Sequence, residues 1–205
     1  MRQLSHLFAN NRAWASRLQS EDPGFFSKLS RQQAPEYFWI GCSDSRVPAT
    51  QITGLLPGEM FVHRNVANVV PPGDLNSSAA LQFAVEVLKV RHIIVCGHYD
   101  CGGVRAVLQG LGLSLVDHWL KPVEEVRRKH EAQLLALGNE QAQLDRLCEL
   151  NVIEQVVNVC QAPTVREAWA RGQPLAVHGW IYSINDGLLR DLGLCVIAPD
   201  ELPRV

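Results

Sequence analysis

Two short apolar runs break off directly into loops that carry thiols. Phe38-Trp39-Ile40 runs into Gly41-Cys42-Ser43-Asp44-Ser45-Arg46, and Ile93-Ile94-Val95-Cys96 runs into Gly97-His98-Tyr99-Asp100-Cys101-Gly102-Gly103. Runs this short, rich in branched and aromatic residues, read as strands buried on both faces. With residues 60–62, 175–181 and 194–197, the runs at 37–40 and 92–96 make five such strands. Helical patterns lie between and after them at 77–89, 104–108, 115–137, 139–160 and 164–171. Strand and helix alternate, which predicts an α/β fold with a mainly parallel central sheet flanked by helices. The stretch 116–160, broken around 136–138, reads as a helical hairpin packed on the sheet.

Residues 1–205 are expected to form a single domain, since a chain of 205 residues that is 47% hydrophobic can bury one good core. Its first residues, about 1–31, form a helical arm with Leu4, Leu7, Phe8, Trp14 and Leu18 at helical spacing and a stop at Asp22-Pro23-Gly24. Such an arm packs either on its own core or on a partner subunit. It lacks the continuous apolar stretch of a signal peptide or membrane span, so no membrane is expected. A net charge of -2, with no basic run longer than Arg127-Arg128-Lys129, argues against nucleic acid. Six cysteines without a secretory signal fit a reducing, cytoplasmic setting without disulfides. Of these, Cys96, Cys148, Cys160 and Cys195 read as small buried hydrophobes.

The other two thiols carry the chemistry. In parallel sheets, sites form outside the carboxyl ends of strands, so both loops can face one crevice. His98 and Cys101, two residues apart, can present an imidazole nitrogen and a thiolate to one ion, with Cys42 as third ligand. One such pair is a weak signal alone, but a second thiol at a strand end, two residues from Asp44 and four from Arg46, strengthens it. Two sulfurs and one nitrogen suit zinc, and three protein ligands leave a position open, as in catalytic sites. Gly97, Gly102 and Gly103 are expected to let the backbone turn tightly there.

In Cys42-Ser43-Asp44-Ser45-Arg46, in His63-Arg64-Asn65-Val66-Ala67-Asn68 and in the Gly97 to Gly103 loop, the sequence resembles the β-class carbonic anhydrases, of bacterial type. The resemblance runs from the N-terminal helix to about Leu192 and includes Cys148-Glu149-Leu150-Asn151-Val152 and His178-Gly179-Trp180. It implies reversible hydration of carbon dioxide to bicarbonate and a proton, one Zn2+ per chain, and homodimers, possibly dimers of dimers. Two thiolates offset most of the charge of zinc, so the water it activates acidifies less than at three imidazoles, and activity should rise toward alkaline pH.

By the same resemblance, Arg46 holds the Asp44 carboxylate off the metal while Asp44 orients the hydroxide generated at zinc. In a closed state Asp44 becomes a fourth metal ligand and displaces water. A bicarbonate-regulated subtype uses a Trp, an Arg and a Tyr as an allosteric anion site, matching Trp39, Arg64 and Tyr182. Singly, Trp39 also reads as core and Arg64 as a structural ion-pair partner. Where many such members carry a Glu, this chain has Thr50, which would weaken the closed state. The substrate pocket would use Gln33 as a donor and Phe61, Val66, Phe83 and Gly102 as an apolar wall, several from both subunits. Phe61, Val66 and Phe83 also read as core, and His63 as a hydrogen-bonded structural residue or a proton shuttle. A C-terminus ending at Pro203-Arg204-Val205 favours dimer over tetramer. Two rival readings are a carbonyl sulfide or carbon disulfide hydrolase on the same site and a non-catalytic zinc-stabilised binding or redox protein.

Overall fold

The computed structural model describes residues 3–110, 112 and 114–202, so the segment Pro203-Arg204-Val205 lies outside the described residues. The chain divides into two compact units, one up to Ala34 and one from Pro35 onward. In the first, α1 (Ser5–Glu21) stops where the Asp22 side chain turns back to accept from Gly24 N at 2.9 Å and from Lys28 Nζ at 2.7 Å. That turn starts α2 (Phe25–Arg31), a second helix within the expected arm. Trp14 meets Phe26 edge-on at 5.8 Å, while Leu7 and Phe8 remain exposed.

In the second unit the order is β1 (Tyr37–Cys42), α3 (Ala49–Thr53), β2 (Met60–Asn65), α4 (Leu75–Gln82), β3 (His92–His98) and α5 (Gly102–Gln109). There follow α6 (Leu115–Trp119), α7 (Lys121–Lys129), α8 (Glu131–Leu135), α9 (Glu140–Gln161), α10 (Pro163–Ala170), β4 (Ala176–Ser183) and β5 (Leu188–Val196). The strands form one sheet in the order β2-β1-β3-β4-β5, parallel except for the β4–β5 pair. The chain leaves β1 toward β2 on one side and returns to β3 on the other. The carboxyl ends of β1 and β3 therefore sit where the connections diverge.

Three expectations need correction. The pattern at 115–137 is three helices, because Pro122 sits in the first turn of α7 and His130 leaves the helical region at φ -108°, ψ 18°. The pattern at 77–89 swells after α4 into a wide turn over Phe83–Val87, closed by Leu88 N on Phe83 O at 3.0 Å. Cys195 is exposed, since β5 is an edge strand, whereas Cys96, Cys148 and Cys160 are buried.

Alternation along the strands divides the core. Phe38, Ile40, Ile93, Val95 and Val177 face α9, α10 and α4, while Trp39, Ile94, Cys96 and Tyr182 face the other way against Val47 and Ala49. The helix α9 is begun by the Asn139 side chain, which accepts from Ala142 N at 2.8 Å, and is ended by Pro163 at the start of α10. It lies on β3 and β4 beneath the expected hairpin partners α7 and α8. Close approach is possible because two strand positions lack side chains. A Cβ at Gly97 would stand 2.6 Å from Val152 Cγ2, and one at Gly179 would stand 3.1 Å from Val156 Cγ2.

This packing fixes the height of His98, the next residue. Gly97→Ala should destabilise the protein by about 1–3 kcal/mol through overpacking, and should weaken metal binding by displacing His98. Thermal melting and chelator competition would measure both. Adding Val152→Ala should restore most of the metal affinity, and failure of that double variant to do so would refute the steric explanation.

Candidate metal centre

Cys42 closes β1 and His98 closes β3, and neighbouring strands bring their ends together. Beyond His98, Tyr99 N bonds Tyr182 O at 3.0 Å, extending the pairing toward β4. The chain then turns at Asp100, a non-glycine residue at φ 57°, so that Cys101 arrives as the N-cap of α5. The left-handed step therefore belongs to Asp100, a residue type that tolerates it, and not to Gly97, Gly102 or Gly103 as the sequence suggested. Arg105 and Gln141 fix its carboxylate at 2.8 and 3.1 Å. Glycine at 103 serves contact instead, since a Cβ there would come within 3.0 Å of Val66 Cγ1.

The ligand atoms of Cys42, His98 and Cys101 all lie within 4.8 Å of one another, and all three residues are buried. The two sulfurs stand 3.9 Å apart. Two thiolates on one tetrahedral zinc, at the usual bond length, stand about 3.8 Å apart. His98 Nδ1 donates to Tyr99 O at 2.9 Å, which places the lone pair on Nε2. That Nε2 is buried without a hydrogen-bond partner among the described residues. An orphaned imidazole nitrogen facing two paired thiols is a donor set for a borderline-soft cation, and the residues present fit zinc.

The thiols are coupled. The hydrogen bond between the two sulfurs draws the Cys42 pKa down against the cost of burial, while the same contact and burial push Cys101 well up. A thiol binds zinc as the thiolate, so metal binding releases protons.

Asp44 stands outside this group. Arg46 Nε donates to Asp44 Oδ1 at 2.9 Å, Arg46 Nη2 donates to Oδ2 at 2.7 Å, and the Arg46 amide adds a third bond to Oδ1 at 2.9 Å. The guanidinium, acting first through these hydrogen bonds, holds the Asp44 carboxyl well below the usual carboxylate range. Its Oδ2 is nonetheless only 3.7 Å from His98 Nε2. Arg64 reaches over from β2 to donate to the backbone carbonyls of Cys42, at 2.8 Å, and of Asp44. It is a backbone clamp, and among the described residues it has no ion-pair partner of the kind one sequence reading allowed.

The remaining predicted residues fall in several places. Trp39 is fully buried, and its indole occupies the space above Gly41, where a Cβ would meet Nε1 at 2.2 Å. Tyr182 shares that cluster on the same sheet face, and Arg64 belongs to that face by register. Val66 follows β2 beside the ligands, and a Cβ at Gly102 would meet nothing within 4 Å, so space lies open over the first residue of α5. Phe61 and Phe83 do not join them. Phe61 packs tilted against Phe38 at 5.4 Å, and Phe83 against Phe61 at 5.8 Å; the register sets Phe61 level with Phe38, four residues before Cys42 and so about 13 Å away along the strand. Gln33 lies in the N-terminal unit. His63 is buried beside Asn65, whose Nδ2 lies 3.3 Å from its Nε2, and burial lowers its pKa.

The sequence reading gave no role to Asn151 and did not single out Gln155, two buried amides on α9 that bond the loop after β2. Their signal was present, as amides four residues apart on a face otherwise made of Leu144, Leu147, Val152 and Val159.

A family model described as carbonic anhydrase matches residues 37–189. A carbonic anhydrase of Emericella nidulans is 48% identical over 188 residues, covering 92% of this chain and 82% of the relative. Among solved structures, the β-carbonic anhydrase of Coccomyxa, in complex with acetazolamide, superposes with a TM-score of 0.93 at 43% identity, over 98% of this chain and 91% of that one. One of two tetrameric β-carbonic anhydrases from Sordaria macrospora does so with a TM-score of 0.90 at 42% identity, over 96% and 100% of the two chains.

Proposed function

Because the chain belongs to the β-class carbonic anhydrases, which are zinc-dependent lyases, we propose that it catalyses reversible hydration of carbon dioxide to bicarbonate and a proton. Cys42, His98 and Cys101 hold the ion. When bound, zinc supplies the Lewis acidity that makes hydroxide available near neutral pH. The observation that carries the reading is the Asp44 carboxylate, gripped twice by Arg46 yet 3.7 Å from His98 Nε2. A structural metal site has no use for a carboxylate latched at its edge.

In this reading Asp44 orients the attacking oxygen by accepting its hydrogen bond, and its lowered pKa keeps it from taking the proton outright. Val66 and Gly102 border an apolar space suited to a small molecule without net dipole, with Gln33, Phe61 and Phe83 completing the wall across a homodimer, possibly a dimer of dimers. Released from Arg46, Asp44 reaches the metal position and closes the site. Trp39, Arg64 and Tyr182 form a bicarbonate site that drives this closure. The Arg64 clamp supports the coupling, because an anion drawing the guanidinium away would free the segment that carries Asp44. A reducing, cytoplasmic setting suits the thiol ligands.

Stopped-flow hydration from about pH 6 to pH 9, with a zinc count and with added bicarbonate, tests these steps. We expect one zinc per chain, a rate that rises toward alkaline pH, and sigmoidal bicarbonate inhibition lost in Trp39→Ala. A flat profile would sink the hydration mechanism, and a retained sigmoid in the variant would remove the allosteric part. Parallel assays with carbonyl sulfide and carbon disulfide separate the rival hydrolase.

A further inference from the structure

The wall beside the metal ligands is made of backbone that does not hold itself. After β2, Ala67 (φ 64°) and Asn68 (φ 48°) are consecutive non-glycine residues in the left-handed region, a costly arrangement that persists only where the surroundings impose it. Both are buried, and Ala67 packs in the cluster that contains Cys42 and Cys101. The loop therefore backs the site while carrying peptide groups that no strand or helix satisfies.

Those groups are met by α9. Asn151 Nδ2 donates to Ala67 O at 2.9 Å, and Gln155 Oε1 accepts from Val70 N at 2.7 Å. The two amides are joined, Gln155 Nε2 donating to Asn151 Oδ1 at 3.0 Å, and Asn158 Nδ2 donates to Gln155 Oε1 at 3.2 Å. Asn151 is 1% and Gln155 0% exposed, so neither bond competes with solvent. From its other side the loop is tied by Asn65, which brackets Val69, and by Trp119 Nε1 on Val66 O at 2.9 Å.

We infer that Asn151 and Gln155 are positioning residues that hold the Val66–Asn68 wall at the height the substrate needs. The inference rests on the hydration reading. Neither amide touches the ligands' donor atoms, so loss of either should spare the metal and the pH profile. It should act on how carbon dioxide is held, which is a KM effect.

The test compares Asn151→Leu and Gln155→Met with Val156→Ala, a buried neighbour on α9 that packs on Gly179 and bonds nothing in the loop. All three should lower the melting temperature. Asn151→Leu, with one zinc per chain, should lose at least about tenfold in kcat/KM, mostly in KM, with the pH midpoint unmoved. Gln155→Met should follow in the same direction, and Val156→Ala should stay within about twofold of the parent. Should Asn151→Leu not fold, Gln155→Met carries the comparison, since it removes the Val70 bond and leaves the Ala67 acceptor bond in place. Zinc-loaded variants with parental kcat/KM would overturn the inference, as would a loss matched by Val156→Ala. A parent protein with zinc but no hydration activity would strike the hydration reading itself.

Discussion

Asp44→Asn is expected to lose about 10²-fold or more in kcat while keeping its zinc. The parent carboxylate accepts three hydrogen bonds from Arg46, two from the guanidinium and one from the amide. An amide side chain can offer only one oxygen, so one guanidinium N–H would face another N–H. The pair would lose its two-point grip, and the group 3.7 Å from His98 Nε2 would no longer be oriented. It would also lose the charge that suits the carboxylate to the metal position in the proposed closed state. Inhibition by bicarbonate should therefore weaken together with the rate. Stopped-flow hydration and metal analysis on the same preparation decide the matter, and parental kcat in a fully loaded variant would remove Asp44 from the reaction.

Cys101→Ser should have the larger effect on metal binding, weakening zinc affinity by about 10³-fold or more, beyond the 10–100-fold typical of residues that only support ligands. Serine is nearly the same size, so helix α5 keeps its N-cap, but its hydroxyl stays protonated near neutral pH where a thiol gives up its proton to the metal. The variant also removes the sulfur that Cys42 contacts at 3.9 Å. Chelator competition would give the affinity, and hydration should fall to background. Retention of zinc at parental affinity would mean that the ion is held elsewhere.

The alternation of apolar runs and helical patterns was enough for the parallel sheet, and the three ligands were legible because thiols and imidazole stand where strands stop. What escaped was set by contacts between distant segments. Nothing local in Gly97 distinguishes a residue that turns from one that makes room, and only Val152, more than fifty residues later, reveals the second role. Phe61 and Phe83 read as one wall with Val66, but the register of β2 on β1 puts Phe61 opposite Phe38, so within one chain they stand apart from Cys42 and such a wall needs a second subunit. Asn151 and Gln155 were hidden for the opposite reason. Their partners in the loop are backbone groups, which carry no residue type to recognise.

The placement of the ligands on two strands has a further effect, on the chain as a polymer. Cys42 and Cys101 lie 59 residues apart, and the loop they bound contains all of β2, its crossover and α4. An ion held by both acts as a removable cross-link. A permanent link over such a loop would take from the unfolded chain entropy equivalent to about 4 kcal/mol. The ion that serves the chemistry thus also ties β1, the strand next to the β2 edge, to the central β3, so stripping it should loosen the β2 side before the β4 side, and tight zinc binding is at the same time a condition for keeping the pocket wall in place.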